Sequence, residues 1–422
     1  MSSPLLSALP MVFVLTGVVL YAVLAGADLG AGFWQLFSGR GERAERIREH
    51  AHHSMAPVWE ANHVWLIFVL TVFWTAYPAA FGSIVSTLSV PFFIAGIGIV
   101  FRGITYALRA GAANPRESQA IDTVFSISSV ITPFALGTIV GAIVTEQVPL
   151  GNAAGGELSS WLGATSVLVG VLAIATSAYL AAVYLAADAA RLGEADLERA
   201  FRVRALWMGA LAGALALAGL IVLRSDAHHL YHQLVSGEAL PALIVSALAG
   251  LATLALVYTR RFEVARFSAA LAVAAVVAGW AIGQWPTLLP HLTVREAAAP
   301  HDTLVAVVVA VLGGGAIVFP SLGLLFGLAL KGHLDEPKAV VAPTPVRADA
   351  GGRRQALLGR LAVACLIVGF GLLNVADARW AHAVGVAAWL GFVVSAFFAL
   401  VPALLPSEPD ATEGSQEHML GQ

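Results

Sequence analysis

The run MVFVLTGVVLYAVLAGADLGAGFWQLFSGRGERAERIR, residues 11–48, decides the fold. As far as Leu36 its only charged side chain is Asp28, and then Arg40, Arg43, Arg46 and Arg48 follow in quick succession. Roughly 20 apolar residues carry a helix across the hydrocarbon core of a bilayer, and a basic segment just beyond marks the inside face. We therefore read 9–35 as a transmembrane helix entering from outside. No Lys or Arg precedes it, and it is too long for the core of a secretory signal, so it is read as a retained helix.

Further apolar stretches follow at 58–79, 83–106, 122–144, 163–187, 205–223, 239–258, 267–286, 304–330, 357–375 and 382–404. The pattern predicts an all-α, polytopic membrane protein of about eleven transmembrane helices. The composition agrees: of 422 residues 59% are hydrophobic and 12% charged, and mean hydropathy is +0.82. About a quarter of a soluble domain is charged, so an ordinary soluble or disordered chain is excluded. A net charge of −3 leaves no basic excess for nucleic acid. The single cysteine, Cys365, lies in an apolar run, so there is no disulfide framework or zinc-ligand spacing.

Alternating the loops places 20 of the 23 Lys and Arg on one side, leaving only Arg224, Arg295 and Arg379 on the other. A missed span in the middle would scramble that division, so it supports both the count and an N-terminus outside with a C-terminus inside. Residues 332–356, rich in Pro, Ala and charge, read as an inside linker between residues 1–331 and a two-helix segment at 357–405; residues 406–422 read as a disordered acidic tail. The first span ends LAGADLGAGFWQLFSGRGERAER and the fifth LAADAARLGEADLER. Each puts an Asp (Asp28, Asp188) after small residues and before a Glu-Arg stretch. This faint repeat suggests a nine-helix core of two four-helix units plus one, although similar demands on inside loops explain it equally.

Ionisable groups within spans cost about 2.5–3.5 kcal/mol each on insertion scales and so call for a partner or a purpose. In GADLGAG, Gly26 and Gly30 make a small face that admits a neighbouring helix, and Asp28 is either a packing hydrogen-bond partner or a proton-carrying group beside that helix. In PVWEANHVWLI, Glu60 and His63 share a helix face. Such a pair could be half of a di-metal site, but no second pair exists in any span, and proton uptake suits it better. Trp59 and Trp65 have the character of interfacial aromatics. Arg102 either snorkels to the interface or serves as counter-ion to Asp28 or Glu60. Asp122, opening the fourth span, also suits a helix N-terminus. A membrane haem needs axial His or Met from facing helices. Of twelve His only His63 and His382 touch spans, near opposite faces, so no haem pair is expected within this chain.

The order and spacing of these blocks, GADLGAGFWQLFSGRGERAER, PVWEANHVWLI, WTAYPAAF and IVFRGITYALR, resemble subunit II of the cytochrome bd-type quinol oxidases, whose pattern runs DGFDLGxG, a basic loop, PxWDGNxVWLI, an AFP-type turn and FR. SSVITPFALG and LTVREAAAPHDTL extend the likeness across residues 9–331. The resemblance implies an accessory subunit of a quinol:dioxygen oxidoreductase in the plasma membrane. It would pair with a haem-bearing subunit I that holds haem b and haem d, meet membrane lipid and the quinol pool, and itself carry no catalytic residue and no metal. It leaves room for a structural quinone. By motif position Asp28, Glu60, Arg102 and Asp122, with His63, become proton-path candidates, and Trp65 matches a tryptophan near a dioxygen route. The departures are Ala25 for the first Asp of DGFDLG, Ala61 for Gly, His63 for Gln or Glu, and Ala107 for an acid. Read without the resemblance, the spans would also suit a stand-alone transporter, or a structural relative pairing with an altered redox subunit.

Overall fold

A computed structural model describes residues 3–39, 41–55, 59–109, 115–330, 351–375 and 379–404. Two compact units divide the chain, Met1–Leu324 and Leu325–Gln422.

In the first unit, α1 (Pro4–Leu36) is apolar on every side, as befits a helix buried in a membrane bundle. It starts at Ser3, whose hydroxyl accepts from the Leu6 N–H, and ends before Gly39 and Gly41. Both glycines sit in the left-handed region, at φ of +86° and +95°, where a side chain would be strained, and they turn the chain sharply. The expected Arg-rich inside loop is instead largely a helix, α2 (Glu42–Met55). Its apolar face, Ala44, Ile47 and Ala51, is buried while its arginines look outward. His50, expected in a loop, is consequently also buried. Its Nε2 is 3.1 Å from the Leu185 carbonyl oxygen and its ring 5.7 Å from that of Phe201.

The second and third spans divide differently from the hydropathy reading. Pro78 cannot continue a helix from Tyr77, so α3 (Trp59–Ala76) stops there and a short α4 (Pro78–Thr87) intervenes before α5 (Ser89–Arg109). Next come α6 (Pro115–Val144), α7 (Ala164–Arg191), α8 (Ala195–Asp226), a short α9 (His228–Ser236), α10 (Leu240–Tyr258) and α11 (Phe262–Gln284). A two-stranded antiparallel hairpin, β1 (Thr287–Leu289) and β2 (Leu292–Thr293), leads to α12 (Val294–Ala297) and α13 (His301–Leu330).

In the second unit α14 (Gly351–Val375) and α15 (Arg379–Leu404) pack together, with Gly369 seated against the Trp389 ring and the Gly385 carbonyl. Thus α14 begins within the stretch expected to be linker. Residues 332–350 and the expected tail at 406–422 lie outside the described residues.

Among the described residues, eight helices are long and apolar enough to cross a membrane: all or part of α1, α5, α6, α7, α8, α10, α11 and α13. The expected spans at 58–79, 357–375 and 382–404 coincide with shorter apolar segments, Asn62–Ala76, Leu357–Gly369 and Ala383–Phe392.

The packing that positions the site centres on α1, which touches α3, α6, α7 and α11. The Asp-bearing first and fifth spans, α1 and α7, therefore lie side by side. Between them Ala27 and Ala31 meet Ala178, Ala181 and Ala182 in one buried cluster. Trp34 closes one end of this seam by donating from Nε1 to the Ala178 carbonyl at 2.8 Å.

Candidate functional site

The glycines of GADLGAG set how near the neighbours come to Asp28. A Cβ on Gly30 would land on the Ser177 carbonyl oxygen of α7, and one on Gly32 would land on the Ser129 hydroxyl of α6. The backbone of α7 and the Ser129 side chain of α6 thus approach α1 from different sides at this level, and the carboxylate between them is shut off from solvent.

Asp28 and Arg102 are both 0% exposed and form a salt bridge, with Nη2 of Arg102 2.7 Å from Oδ1 of Asp28. Arg102 is thus turned inward to α1 instead of snorkelling. Its other contacts hold it there: Nη1 donates to the Ser129 hydroxyl, and the guanidinium carbon lies 4.3 Å from the centroid of the Phe125 ring. Ser129 in turn donates to the Phe125 carbonyl at 2.6 Å, which leaves its oxygen lone pairs for the arginine. A buried charge costs several kcal/mol unless partnered and hydrogen-bonded, and each of these contacts answers part of that cost. Oδ2 of Asp28 accepts no hydrogen bond among the described residues.

From this pair a polar lane runs in two directions. Toward α2, the Tyr106 hydroxyl is 3.5 Å from Oδ1 of Asp28, and the Tyr106 ring stacks on His52 at 5.3 Å. Toward α3, the Tyr21 hydroxyl is 3.4 Å from Nδ1 of His63, and Nδ2 of Asn62 donates to the Leu24 carbonyl at 3.3 Å. Tyr21 lies two turns before Asp28 on the same side of α1. Side chains of α2, α5, α1 and α3 thus gather around the pair, through hydrogen bonds at Tyr106–Asp28 and Tyr21–His63 and a ring stack at His52–Tyr106.

The remaining candidates fall around it. Glu60 is in the first turn of α3, one turn before His63; its side chain lies outside the described residues. Asp122 is half-buried on α6, one turn before Phe125 and two before Ser129, hence on the face that receives Arg102. Trp65 is half-buried, edge-on to Phe68 at 6.2 Å. Gly26 is less tightly enclosed than Gly30, since its Cβ would meet the flexible end of Leu180 at 3.4 Å and the Ser177 hydroxyl at 3.6 Å. Asp188 stands in a related arrangement: it pairs with Arg191 of its own helix and with Arg266 of α11, but is 12% exposed. An acid on α1 meets an arginine of α5, and an acid on α7 meets an arginine of α11.

The sequence reading missed Tyr21, Tyr106, Ser129, Phe125 and His52. A signal for two of them was present: Tyr21 is seven residues before Asp28 and Tyr106 four after Arg102, both same-face spacings once those charges are taken as a pair. Among the described residues, His63 is engaged with Tyr21 and His50 with the Leu185 carbonyl. Among the described residues no three His, Cys, Asp or Glu converge on a point that could hold a metal.

Comparison with known proteins gives a consistent result. The family described as "Cytochrome bd terminal oxidase subunit II" matches residues 6–329. A "Putative cytochrome bd menaquinol oxidase subunit II" of Bacillus subtilis (strain 168) is 25% identical over 222 residues, 51% of this chain and 61% of that protein. "Cytochrome bd ubiquinol oxidase subunit 2" of the same strain is 28% identical over 129 residues, covering 30% of this chain and 37% of the relative. "Cytochrome bd-I ubiquinol oxidase subunit 2" of Escherichia coli (strain K12) is 29% identical over 139 residues, 32% and 36% of the two chains. The chain thus spans between about a third and three fifths of the length of these curated relatives. In fold, a chain of the bd oxidase from Geobacillus thermodenitrificans superposes with a TM-score of 0.60 at 23% identity, over 77% of this chain and 99% of that one.

Proposed function

This chain belongs to the cytochrome bd terminal oxidase subunit II family, and we propose that it acts as the accessory membrane subunit of a bd-type oxidase, which oxidises quinol and reduces dioxygen to water. The catalytic partner is a haem-bearing subunit I, and this chain stabilises it and helps supply protons and dioxygen. Haem b and haem d, held by that partner, supply the electron transfer and oxygen chemistry. The near one-sided distribution of Lys and Arg supports a multi-pass plasma-membrane protein with its C-terminus in the cytoplasm. Residues 357–405 are an addition to the family core.

The observation that carries the reading is the buried Asp28–Arg102 salt bridge, with its lane of Tyr106, Tyr21 and His63, inside a helix bundle of a membrane chain. Intramembrane charge of this kind is retained where protons or ions move, or where a partner must be organised. Glu60 and His63, one turn apart at the start of α3, take up and pass protons. Asp28 and Arg102 are the fixed charges around which they do so, and Asp122 gathers protons at the inside end of α6. Trp65 borders the dioxygen route.

Glu60→Gln in the co-purified complex tests this. A carboxamide keeps the shape and cannot carry the proton, and loss of a positioned proton-transfer group costs about 10²- to 10⁴-fold at a fully rate-limiting step. Oxygen consumption should therefore fall at least tenfold with haem content unchanged. Unchanged turnover and haem would remove the proposed role, and loss of haem with this subunit still present would replace it by one in assembly.

A further inference from the structure

We propose that His228 and His232 form a two-imidazole site for a divalent transition metal ion of the copper and zinc class, at the end of the first unit remote from α2. Both side chains are exposed, four residues apart on α9, so they project from one face of a nine-residue helix. Their Nε2 atoms lie 3.1 Å apart, with the rings nearly perpendicular at 87°.

That separation is the bite of a single metal ion. With metal–nitrogen bonds of about 2.0–2.1 Å, two nitrogens at this spacing subtend an angle of about 100° at the metal, close to the tetrahedral value. The tautomer is also set for binding. Nδ1 of His228 is 3.3 Å from the Arg224 carbonyl oxygen. A carbonyl only accepts, so Nδ1 carries the hydrogen and Nε2 presents its lone pair toward His232. Metal-ligating histidines characteristically donate their other N–H to a carbonyl in this way, which fixes the ring and raises the basicity of the ligating nitrogen. Without metal, the Nε2–H of His232 donates to Nε2 of His228. A metal ion replaces that shared hydrogen, which moves to Nδ1 of His232.

His228 also lines a cleft of about 460 Å³ together with His229, Asp226, Glu146 and Gln284. Asp226 is engaged by the Thr165 hydroxyl at 2.7 Å and the Ser225 hydroxyl at 3.0 Å, and water from the cleft would fill the metal's remaining positions. Imidazole ligands with open positions suit Cu²⁺ best and Zn²⁺ next among ions commonly available.

The test is titration of the full-length chain in its complex, carrying no polyhistidine tag, with Cu²⁺ and separately with Zn²⁺. Compared with wild type, His228→Ala and His232→Ala should each lose one binding equivalent. The affinity change should exceed the about 10- to 100-fold that follows from losing only an orienting partner. His229→Ala, which leaves both ligating nitrogens, should bind like wild type. Electron paramagnetic resonance of the Cu²⁺ complex should show imidazole nitrogen coupling that disappears in His232→Ala. In the unaltered protein Zn²⁺ should protect His228 and His232, and not His229, from acylation of the imidazoles. Equal binding by wild type and both site variants, or no Zn²⁺ protection of the pair, would overturn the proposal.

Discussion

Arg102→Leu is expected to lower the folded population of the subunit by about two powers of ten, and Asp28→Asn by somewhat less. The salt bridge is wholly buried, so either change leaves one charge facing an apolar bundle. Breaking a buried pair from one side costs about 3–5 kcal/mol. An uncompensated charge at membrane depth costs about 2.5–3.5 kcal/mol on insertion scales, and the agreement favours about 3 kcal/mol. Neutral hydrogen bonds in membranes average only about 0.6 kcal/mol, so the loss comes from the charge and not from the count of hydrogen bonds. Arg102 also serves Ser129 and Phe125, which makes its removal the worse of the two. The decisive measurement is the thermal midpoint of the detergent-purified complex for both single variants and for Asp28→Leu with Arg102→Leu. The double variant should recover most of the loss, because it buries no charge. If it is no more stable than the singles, the pair is not the source of the effect.

The second large effect is expected at Gly30. A Cβ there would lie 1.9 Å from the Ser177 carbonyl oxygen and 2.8 Å from the Cβ of Ala181. The obstacle is backbone, which cannot rotate away, so α1 and α7 must separate by more than an ångström and loosen their alanine seam. Overpacking a close-packed core costs about 1–3 kcal/mol and occasionally more. Gly30→Val should stand at or above the upper end, because the contact runs between two central helices and also sets the distance of Asp28 from its surroundings. Gly26→Ala is the control: its Cβ meets only side-chain atoms at ordinary contact distance, the Leu180 methyl at 3.4 Å and the Ser177 hydroxyl at 3.6 Å, and should change the thermal midpoint little. Equal effects from the two substitutions would contradict the packing described here.

Most of the apolar helices were legible because they rest on local chemistry. Whether a stretch can lie in hydrocarbon depends on its own residues, and which loops stay inside depends on their own Lys and Arg. One local error, reading Glu42–Met55 as a loop, has a tertiary cause. A charged segment with only Ala44, Ile47 and Ala51 on its apolar face gains a helix's stability chiefly by lying against α1 and α7. Asp28 and Arg102 were likewise legible as candidates, since charge within a span is conspicuous, and their pairing stood as one alternative alongside snorkelling and a pair with Glu60. Snorkelling and ion pairing require the same residue at the same depth.

By itself the sequence determined that this is an all-α membrane chain, which stretches are apolar enough to be candidate spans, and which few charged groups are left among them. Only the tertiary structure decided that Arg102 turns to Asp28, that Tyr106 reaches that pair while Tyr21 reaches His63, and that Gly30 is packed against backbone where Gly26 is not. The physical reason is that hydrophobicity and charge are properties of a residue in its own segment. Partnership depends on the distance and direction between segments, which here are set by how closely α1, α5, α6 and α7 approach one another.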